Sequence, residues 1–413
     1  MVKSFHGGIK KQKMMFVASP CAGEVKPQNG GCFVYNAFNE NGICVSVGEE
    51  VFVGSVLACI EGASPMLSGV SGKISKIECN EISIIADGEQ TSLTRLPPFE
   101  KALSEIPADE VAVRLSDCAV TSKYTPDGIF PVCKAAQEIS GEKRIKLIID
   151  CSSPTYASAV NRFLIKNYPK EISGGIRILM RACDASEAHL VCDDSSIDVI
   201  RILESICDGE FVRLSVAEAK YPMQNEKLLI YLALNKEISR KKRVIDYGIV
   251  CADCEAALNA YRASVLGDRV VSKHVAVQRK DEVECTLAPV GLPLSELVGE
   301  GCDFMIGELS ANMISCEDAS SLCVDSTTDV IVIGDRAWQM IVSPCVGCGK
   351  CETVCPMYLP VSRIVPPTLE KSGKLYKKYS FEACIGCGCC SAACPSGIEI
   401  RNYIEGGRSE NGQ

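Results

Sequence analysis

Two cysteine runs near the carboxyl end place the strongest constraint on how this chain folds. The first run covers residues 345–356 and the second covers residues 384–395, and each reads C-x2-C-x2-C-x3-C-P. In proteins with this spacing, three neighbouring cysteines bind one [4Fe-4S] cluster, and the fourth cysteine of each run binds the cluster of the other run. The spacing therefore predicts two [4Fe-4S] clusters and a protein that transfers electrons.

The exchange of the fourth cysteine assigns four ligands to each predicted cluster. The first set is Cys345, Cys348, Cys351 and Cys394, and the second set is Cys384, Cys387, Cys390 and Cys355. Glycines within the loops suit this role, because a residue without Cβ accepts positive φ and lets backbone N–H groups approach the cluster sulfurs. These glycines are Gly347, Gly349, Gly386 and Gly388. Cys389 is left over, and we interpret it as a packed free thiol.

Structural zinc and disulfides are the alternatives for these cysteines. Zinc sites usually present two C-x2-4-C pairs, or one pair followed by histidines, whereas this chain has two matched quartets. No signal peptide opens the chain, and persistent disulfides belong to oxidising compartments. We therefore disfavour both alternatives. The 26 cysteines of the chain indicate a reducing, anaerobic cytoplasm.

The overall composition indicates a multidomain globular protein. At 413 residues the chain exceeds what one hydrophobic core serves, so about two to four domains are expected. The net charge of −9 argues against nucleic acid as a partner, because nucleic-acid binding needs a basic face. No apolar run reaches the roughly eighteen residues of a membrane span. We expect a cytoplasmic protein that could dock on the inner face of the cell membrane.

Sequence patterns divide the chain into five regions. Residues 44–95 alternate short strands with glycine turns, which is typical of a small β-barrel or sandwich. Residues 105–240 alternate strands with helices of about ten residues, which indicates a parallel three-layer α/β sheet. Ligands bind at the strand ends of such sheets, here in loops 125–134 and 151–156. The other regions are an arm over 1–43, a mixed α and β module over 244–305 and a ferredoxin region over 336–405.

Several single residues have two interpretations. His6 lines a cofactor pocket or lies on an arm over a neighbouring domain, and we favour the arm. Trp338, the only tryptophan, shields a cluster or packs at a domain joint, and we favour packing. A basic cluster between the two cysteine runs either steers an acidic redox partner or forms a solvated face. This cluster consists of Lys371, Lys374, Lys377 and Lys378.

The order of regions resembles the RnfC family, the peripheral subunits of the Rnf electron transport complex. Relatives of that family include the cobalamin reductase of propanediol utilisation and an electron-transfer protein associated with proline reductase. The resemblance spans nearly the whole chain. It is carried by Gly7-Gly8-Ile9, Ser71-Gly72, Tyr221-Pro222, Gly291-Leu292-Pro293 and both cysteine runs. It implies a biotinyl/lipoyl-like hammerhead over 44–95, a complex I flavoprotein-like α/β domain, an SLBB-like β-grasp over 244–305 and an α-helical dicluster ferredoxin domain.

The resemblance also implies FMN and NAD(H), but the residues for a flavin are incomplete. Members of the family carry a glycine-rich loop ending G-G-A-G-F-P-T, and here only Gly128, Phe130 and Pro131 match it. Glycines at a strand–helix turn let N–H groups close on a phosphate, whereas the carboxylate of Asp127 would repel one. We therefore expect a degenerate flavin loop, with binding of FMN and NAD(H) weakened or lost.

These observations support more than one function. We favour an RnfC-like iron–sulfur protein that passes single electrons through two [4Fe-4S] clusters between a donor protein and a redox enzyme. The alternative is an FMN-containing NADH dehydrogenase subunit of an Rnf-type or cobalamin-reductase-type system, in which the flavin splits a hydride into single electrons. A third interpretation is a subunit of a membrane complex that docks through region 44–95.

Overall fold

The computed structural model describes eleven stretches of the chain. They are residues 2–10, 22–37, 42–59, 62–154, 159–239, 242–279, 282–299, 302–307, 322–334, 342–365 and 372–410. Trp338, Lys371 and the end of the predicted ligand loop 151–156 lie outside them. Within these stretches no helix is both long and apolar enough to cross a bilayer.

Short strands make up most of the amino-terminal part, and helices dominate the carboxyl end. The strands are β1 (Ile9–Lys10), β2 (Ala22–Glu24), β3 (Cys32–Asn36), β4 (Glu50–Val51), β5 (Val56–Ala58), β6 (Met66–Leu67), β7 (Gly72–Glu78), β8 (Glu81–Ala86), β9 (Ile145–Asp150), β10 (Ala185–Asp193), β11 (Val212–Ala217), β12 (Lys220–Tyr221), β13 (Ile249–Asp253), β14 (Ser272–Arg279), β15 (Glu282–Pro289), β16 (Asp303–Ile306) and β17 (Val330–Gly334). The helices are α1 (Ala108–Asp117), α2 (Phe130–Ser140), α3 (Ala159–Asn167), α4 (Pro169–Ala182), α5 (Ile197–Ile206), α6 (Glu226–Leu234), α7 (Cys254–Tyr261), α8 (Ser295–Val298), α9 (Lys350–Thr353), α10 (Ser372–Lys378), α11 (Cys389–Ala392) and α12 (Ile400–Glu410).

The β-rich module is an antiparallel sheet of strand order β3-β8-β7-β4, accompanied by the hairpin β5-β6. Its strands are short, as the sequence predicts for residues 44–95. One strand comes from the predicted arm of residues 1–43, because β3 pairs with β8. The rings of Phe33 and Tyr35 in β3 are buried in the same core as Ile82 and Ile84 of β8. Burial of these apolar side chains stabilises the pairing of the end of the arm with the sheet.

The α/β domain is a parallel sheet of strand order β11-β10-β9-β13. Helices α3, α4 and α7 pack in the core on one face, and α6 packs in the core on the other. The strand β13 falls in the region predicted as a separate module from residue 244, yet it pairs in parallel with β9. All five residues of β13 are buried, as expected for a parallel strand that is covered on both faces. The domain therefore continues beyond its predicted end at residue 240.

A mixed sheet of strand order β16-β17-β14-β15-β2 follows. The predicted extended segments of the 244–305 module appear here as β14 and β15, which pair antiparallel. Two strands come from outside that module: β2 from the arm, parallel to β15, and β17, parallel to β14. The module therefore extends to Gly334 and includes the apolar strand that precedes the cysteine runs.

A buried ion-pair network joins the α/β domain to this mixed sheet. Glu255 of α7 accepts hydrogen bonds from Lys273 Nζ at 3.0 Å and from the His274 backbone N–H at 2.8 Å. Lys273 Nζ also lies 3.0 Å from Asp329. Burial alone would raise the pKa of Glu255, but the charges and hydrogen bonds of Lys273 and His274 outweigh it and lower the pKa to about 2. The carboxylate therefore stays ionised inside the protein and fixes α7 against β14.

We predict that Glu255→Gln lowers the free energy of unfolding by about 3 kcal/mol, the lower end for breaking a buried ion pair, because Asp329 still faces Lys273. Urea unfolding followed by far-UV circular dichroism measures the effect. The control Glu142→Gln, at an exposed position, should change it by less than about 0.5 kcal/mol. Equal effects of the two substitutions would show that the network does not stabilise the fold.

Candidate functional site

Two small cavities lie inside the ferredoxin region. The first is bordered by Cys345, Cys348, Cys351 and Cys394, and the second by Cys355, Cys384, Cys387 and Cys390. The structure therefore brings together the members of each ligand set that we assigned from the spacing. Each cavity includes the one cysteine that belongs to the other run.

The cysteine loops approach their cavities through glycines with positive φ. Gly347 and Gly386 have φ of 68° and 71°. A Cβ at either position would meet nothing within 4 Å, so backbone conformation rather than space favours glycine here. Their N–H groups donate to the sulfurs of Cys345 and Cys384, each at 3.4 Å. Hydrogen bonds of this kind to cluster sulfurs are one way in which proteins set the reduction potential.

The donor set fits [4Fe-4S] clusters, which accept and release single electrons when bound. Among the described residues, no three His, Cys, Asp or Glu side chains converge closely enough to hold a single metal ion. Four thiols spread around a cavity suit a cluster of several metals. A zinc site would instead require ligands about 2.3 Å from one point.

The two cavities differ in their exposure to solvent. Cys345 and Cys348 are exposed, and Val346 between them is 70% exposed. In the second set, Cys355 and Cys390 are buried. Cys394 of the first set is buried as well, so the difference lies in the loops: the loop of Cys345 and Cys348 is more exposed than the loop of Cys384 and Cys387.

The N-terminal arm packs on the end of the first cysteine run. The N–H of Gly8 donates to the Val354 carbonyl at 2.9 Å. Gly7 has φ of 65°, and a Cβ there would lie 2.8 Å from the same carbonyl oxygen, so this close approach requires glycine. The ring of His6 stacks on that of Tyr358, with 3.8 Å between centroids. His6 thus lies on an arm over a neighbouring domain, which is the interpretation we favoured.

Two side chains hold the loop that carries the second set of cysteines. The hydroxyl of Tyr221, in β12, donates to the Cys387 carbonyl at 2.7 Å. Arg408, in α12, donates to the Cys384 carbonyl at 3.2 Å. The loop is therefore anchored both to the α/β domain and to the carboxyl-terminal helix. The leftover Cys389 is fully buried at the start of α11 and also borders the second cavity.

The carboxyl edge of the parallel sheet, where a flavin would be expected, is lined with carboxylates. Asp150, Asp193 and Asp253 end the strands β9, β10 and β13. All three are buried. Ligands of such sheets bind at this edge, and carboxylates there repel an anionic phosphate.

Side chains of the preceding loop already bond these carboxylates. Lys123 Nζ lies 2.6 Å from Asp150 Oδ2, and the Tyr124 hydroxyl donates to the same oxygen at 3.0 Å. The Ser122 hydroxyl donates to Asp253 at 2.7 Å. Burial would lower the pKa of Lys123, but Asp150 and neighbouring carboxylates outweigh burial and raise the pKa above its ordinary value. A charged amine of the chain itself therefore lies at this edge and is paired with Asp150.

The glycine that matches the family's flavin loop makes a contact between modules. Gly128 has φ of 109°, and a Cβ there would clash with the Ser64 hydroxyl. The Ser64 N–H also donates to the Asp127 carbonyl at 3.1 Å, which pins the loop to the β-rich module. Phe130 and Pro131 follow at the start of α2. The three matching residues lie together, but Gly128 is covered by Ser64 rather than open to a phosphate.

Comparison with known families separates the chain into two matched regions. The model of the Nuo51 FMN-binding domain matches residues 127–262, and that of the 4Fe-4S dicluster domain matches residues 344–398. The first match includes all four strands of the parallel sheet, and the second includes both cysteine runs.

Curated proteins are similar to most of the chain. The chain is 23% identical over 360 residues to the RnfC protein of the ion-translocating oxidoreductase complex of Pseudomonas aeruginosa, and 24% identical over 348 residues to that of Salmonella dublin. The chain is similar in sequence to RnfC. The resemblance inferred from sequence is thereby confirmed. The matches cover 76% and 77% of this chain but only 43% and 48% of the relatives, so the chain spans about half their length.

Solved structures support the fold of this RnfC relative. The structure of an NAD⁺-reducing [NiFe]-hydrogenase in the H₂-reduced state aligns with a TM-score of 0.52 and 14% identity, over 75% of this chain and 63% of that chain. The air-oxidized state aligns with a TM-score of 0.51 and 16% identity, over 76% and 67%. At such low identity, the likeness concerns the fold alone.

Although the α/β domain matches an FMN-binding family, its crevice does not fit the phosphate of FMN. The strand ends offer carboxylates, and the amine of Lys123 is committed to Asp150. The buried hydroxyls of Ser64 and Thr125 lack hydrogen-bond partners among the described residues. Two neutral hydroxyls would not offset the repulsion between a phosphate and the carboxylates at the strand ends. We therefore assign no electron-transfer step of this RnfC relative to a flavin.

The ion pair of Lys123 and Asp150 at this edge was not predicted from the sequence. Lys123 and Tyr124 lie next to the degenerate flavin loop, and Asp150 and Asp253 each end an apolar strand. An aspartate at the end of each apolar strand, together with one lysine in the preceding loop, was the signal that could have revealed the ion pair. Which lysine reaches which strand depends on the tertiary fold.

We predict that chelation removes iron from the first site of this RnfC relative before the second, because the first loop is exposed. A chelator under anaerobic conditions should give two kinetic phases, with about half of the iron in each. Cys348→Ser should abolish the fast phase, and Cys387→Ser should abolish the slow one. A single phase, or loss of the slow phase in Cys348→Ser, would contradict the exposure difference.

We predict that Gly128→Ala destabilises the protein by about 1–3 kcal/mol, because it combines positive φ with a clash against Ser64. Gly141→Ala is the control, since Gly141 has φ of −66° and open space around it. That change should be neutral or stabilising by up to about 1 kcal/mol. Thermal unfolding compares the stabilities of the two variants. An unchanged stability of Gly128→Ala would show that the close contact with Ser64 does not require glycine at position 128.

Proposed function

We propose that the chain is an RnfC-like iron–sulfur protein that passes single electrons through two [4Fe-4S] clusters to or from a redox enzyme partner. The pair of cavities, each with four thiols, carries this proposal. The ligands would be Cys345, Cys348, Cys351 and Cys394 for the first cluster and Cys384, Cys387, Cys390 and Cys355 for the second. The clusters supply the one-electron chemistry, and the protein sets potential and access through burial and hydrogen bonds to sulfur.

The arrangement of the cavities supports a relay with two ends. Cys355, Cys390 and Cys394 share one apolar core, so ligands of both clusters pack together. The second cluster would lie beneath the arm, β12 and α12, whereas the first would lie at the surface. We propose that the exposed first cluster faces the redox enzyme and that the second receives or delivers electrons at the opposite end.

We also propose finer identities for the modules and for the setting of the chain. The short antiparallel strands of the β-rich module suit a hammerhead, and the mixed sheet suits an SLBB-like β-grasp. The curated relatives are named as subunits of an ion-translocating oxidoreductase complex. By that likeness, the chain would dock peripherally on a membrane-bound electron-transport complex.

An FMN-containing NADH dehydrogenase subunit is the second candidate. The match of residues 127–262 to an FMN-binding family favours it. The ion pair between Lys123 and Asp150 argues against this candidate, because it lies at the sheet edge where FMN would bind and would have to break. If the chain is an electron carrier without a flavin, its α/β domain would instead cover part of the loop that binds the second cluster.

Anaerobic purification with iron, sulfide and flavin quantified tests the proposal. We expect about eight irons and eight sulfides per chain, less than about 0.1 flavin, and visible absorbance that dithionite bleaches and NADH does not. Cys348→Ser and Cys387→Ser should each lose about half of the iron. Zinc in place of iron would overturn the electron carrier. About one FMN per chain with bleaching by NADH would establish the dehydrogenase instead.

A further inference from the structure

The helix between the cysteine runs presents three lysines on one face. Lys374, Lys377 and Lys378 of α10 are exposed, whereas Tyr376 is buried. Residues spaced by three and four lie side by side on a helix, so the three ammonium groups form one basic face opposite the buried tyrosine. We call Lys374, Lys377 and Lys378 the α10 lysine face.

The charges of this face are not neutralised within the described part of the chain. None of the ion pairs there involves one of its lysines. Lys378 Nζ lies 5.1 Å from the centre of the Tyr379 ring, a contact that leaves the positive charge in place. The face is therefore a local positive field on a chain whose net charge is −9.

Helix α10, which carries the lysine face, is connected to the second cysteine cavity through helix α12. Helix α10 packs on α12, and Tyr376 belongs to the same core as Cys390 and Ile404. Arg408 of α12 lies 3.5 Å from the Tyr376 hydroxyl and also donates to the Cys384 carbonyl at 3.2 Å. The lysines lie on the side of α10 away from Tyr376, so a partner on this face would be separated from the second cluster by α10 and α12.

We propose that the α10 lysine face is the docking surface for an acidic one-electron carrier protein, which exchanges electrons with the second cluster. The inference rests on the proposed function and names the partner at one end of the relay. When the carrier is the donor, its cofactor is oxidised by one electron and the second cluster is reduced by one electron, with no bond formed or broken. The reverse transfer reduces the carrier.

Physical chemistry favours a protein carrier over other occupants. Electron-transfer encounters use small interfaces, and complementary charge raises their association rates by about 10- to 1000-fold at low salt. Lysine suits such a transient contact, because its ammonium is a strongly hydrated point charge on a flexible stem. A nucleic acid would require a basic surface that extends along its backbone, whereas this face is confined to one short helix.

The test uses an acidic flavodoxin and the basic protein cytochrome c as opposite probes. Dithionite-reduced protein is mixed with either oxidised probe in an anaerobic stopped-flow instrument at increasing salt. We expect the rate with flavodoxin to fall steeply with salt. The triple variant Lys374→Glu, Lys377→Glu and Lys378→Glu should lose at least about 10-fold of that rate at low salt, while its rate with cytochrome c should stay level or rise.

A matched control carries the same charge change elsewhere. Lys26, Lys101 and Lys170 are exposed and lie outside the ferredoxin region. Their replacement by glutamate should change the flavodoxin rate by less than about twofold. Equal losses of the flavodoxin rate in both triple variants, or a flavodoxin rate that does not depend on salt, would overturn the proposed docking surface.

A second readout does not depend on electron transfer. Zero-length carbodiimide coupling of the protein to flavodoxin, followed by mass spectrometry, should yield cross-links at Lys374, Lys377 or Lys378, and cross-links only at other lysines would overturn the proposal. Iron content and dithionite bleaching are measured on the same samples. Loss of clusters in the unmodified protein counts against the proposed function, whereas full clusters with unchanged rates and cross-links count against the docking surface.

Discussion

Each cysteine cavity of this RnfC relative requires a residue from the other cysteine run. Cys394 borders the first cavity and Cys355 borders the second, so neither run completes a site alone. Both loops must therefore be in place before either set of four thiols exists. In agreement with this mutual dependence, Cys355, Cys390 and Cys394 share one core with Phe381.

The remainder of the chain covers one side of that unit and leaves the other open. The arm bonds the first run through Gly8, and Tyr221 bonds the second loop at Cys387. The α/β domain, which in fold resembles an FMN-binding domain, carries the ion pair of Lys123 and Asp150 at its carboxyl edge. The loop of the second site is thus more covered than the loop of the first.

The sequence allowed the site to be predicted better than the arrangement of the modules around it. Cysteine spacing is local chemistry, and so the membership of both cavities could be assigned before any fold was known. Strand partners are not local: β13 was placed in the wrong module and β3 in an arm, because which strand each one pairs with depends on tertiary packing. The same holds for Lys123, whose partner Asp150 is distant in sequence and adjacent only after the sheet forms.

The most direct test of cross-ligation compares single-cysteine variants by electron paramagnetic resonance of the reduced clusters. Cys394→Ser removes a residue of the second run that we assign to the first cluster. We predict that Cys394→Ser alters the same signal as Cys345→Ser and leaves unchanged the signal altered by Cys384→Ser. If Cys394→Ser instead altered the signal affected by Cys384→Ser, the exchange of ligands between the runs, and with it the account of how this region folds, would be wrong.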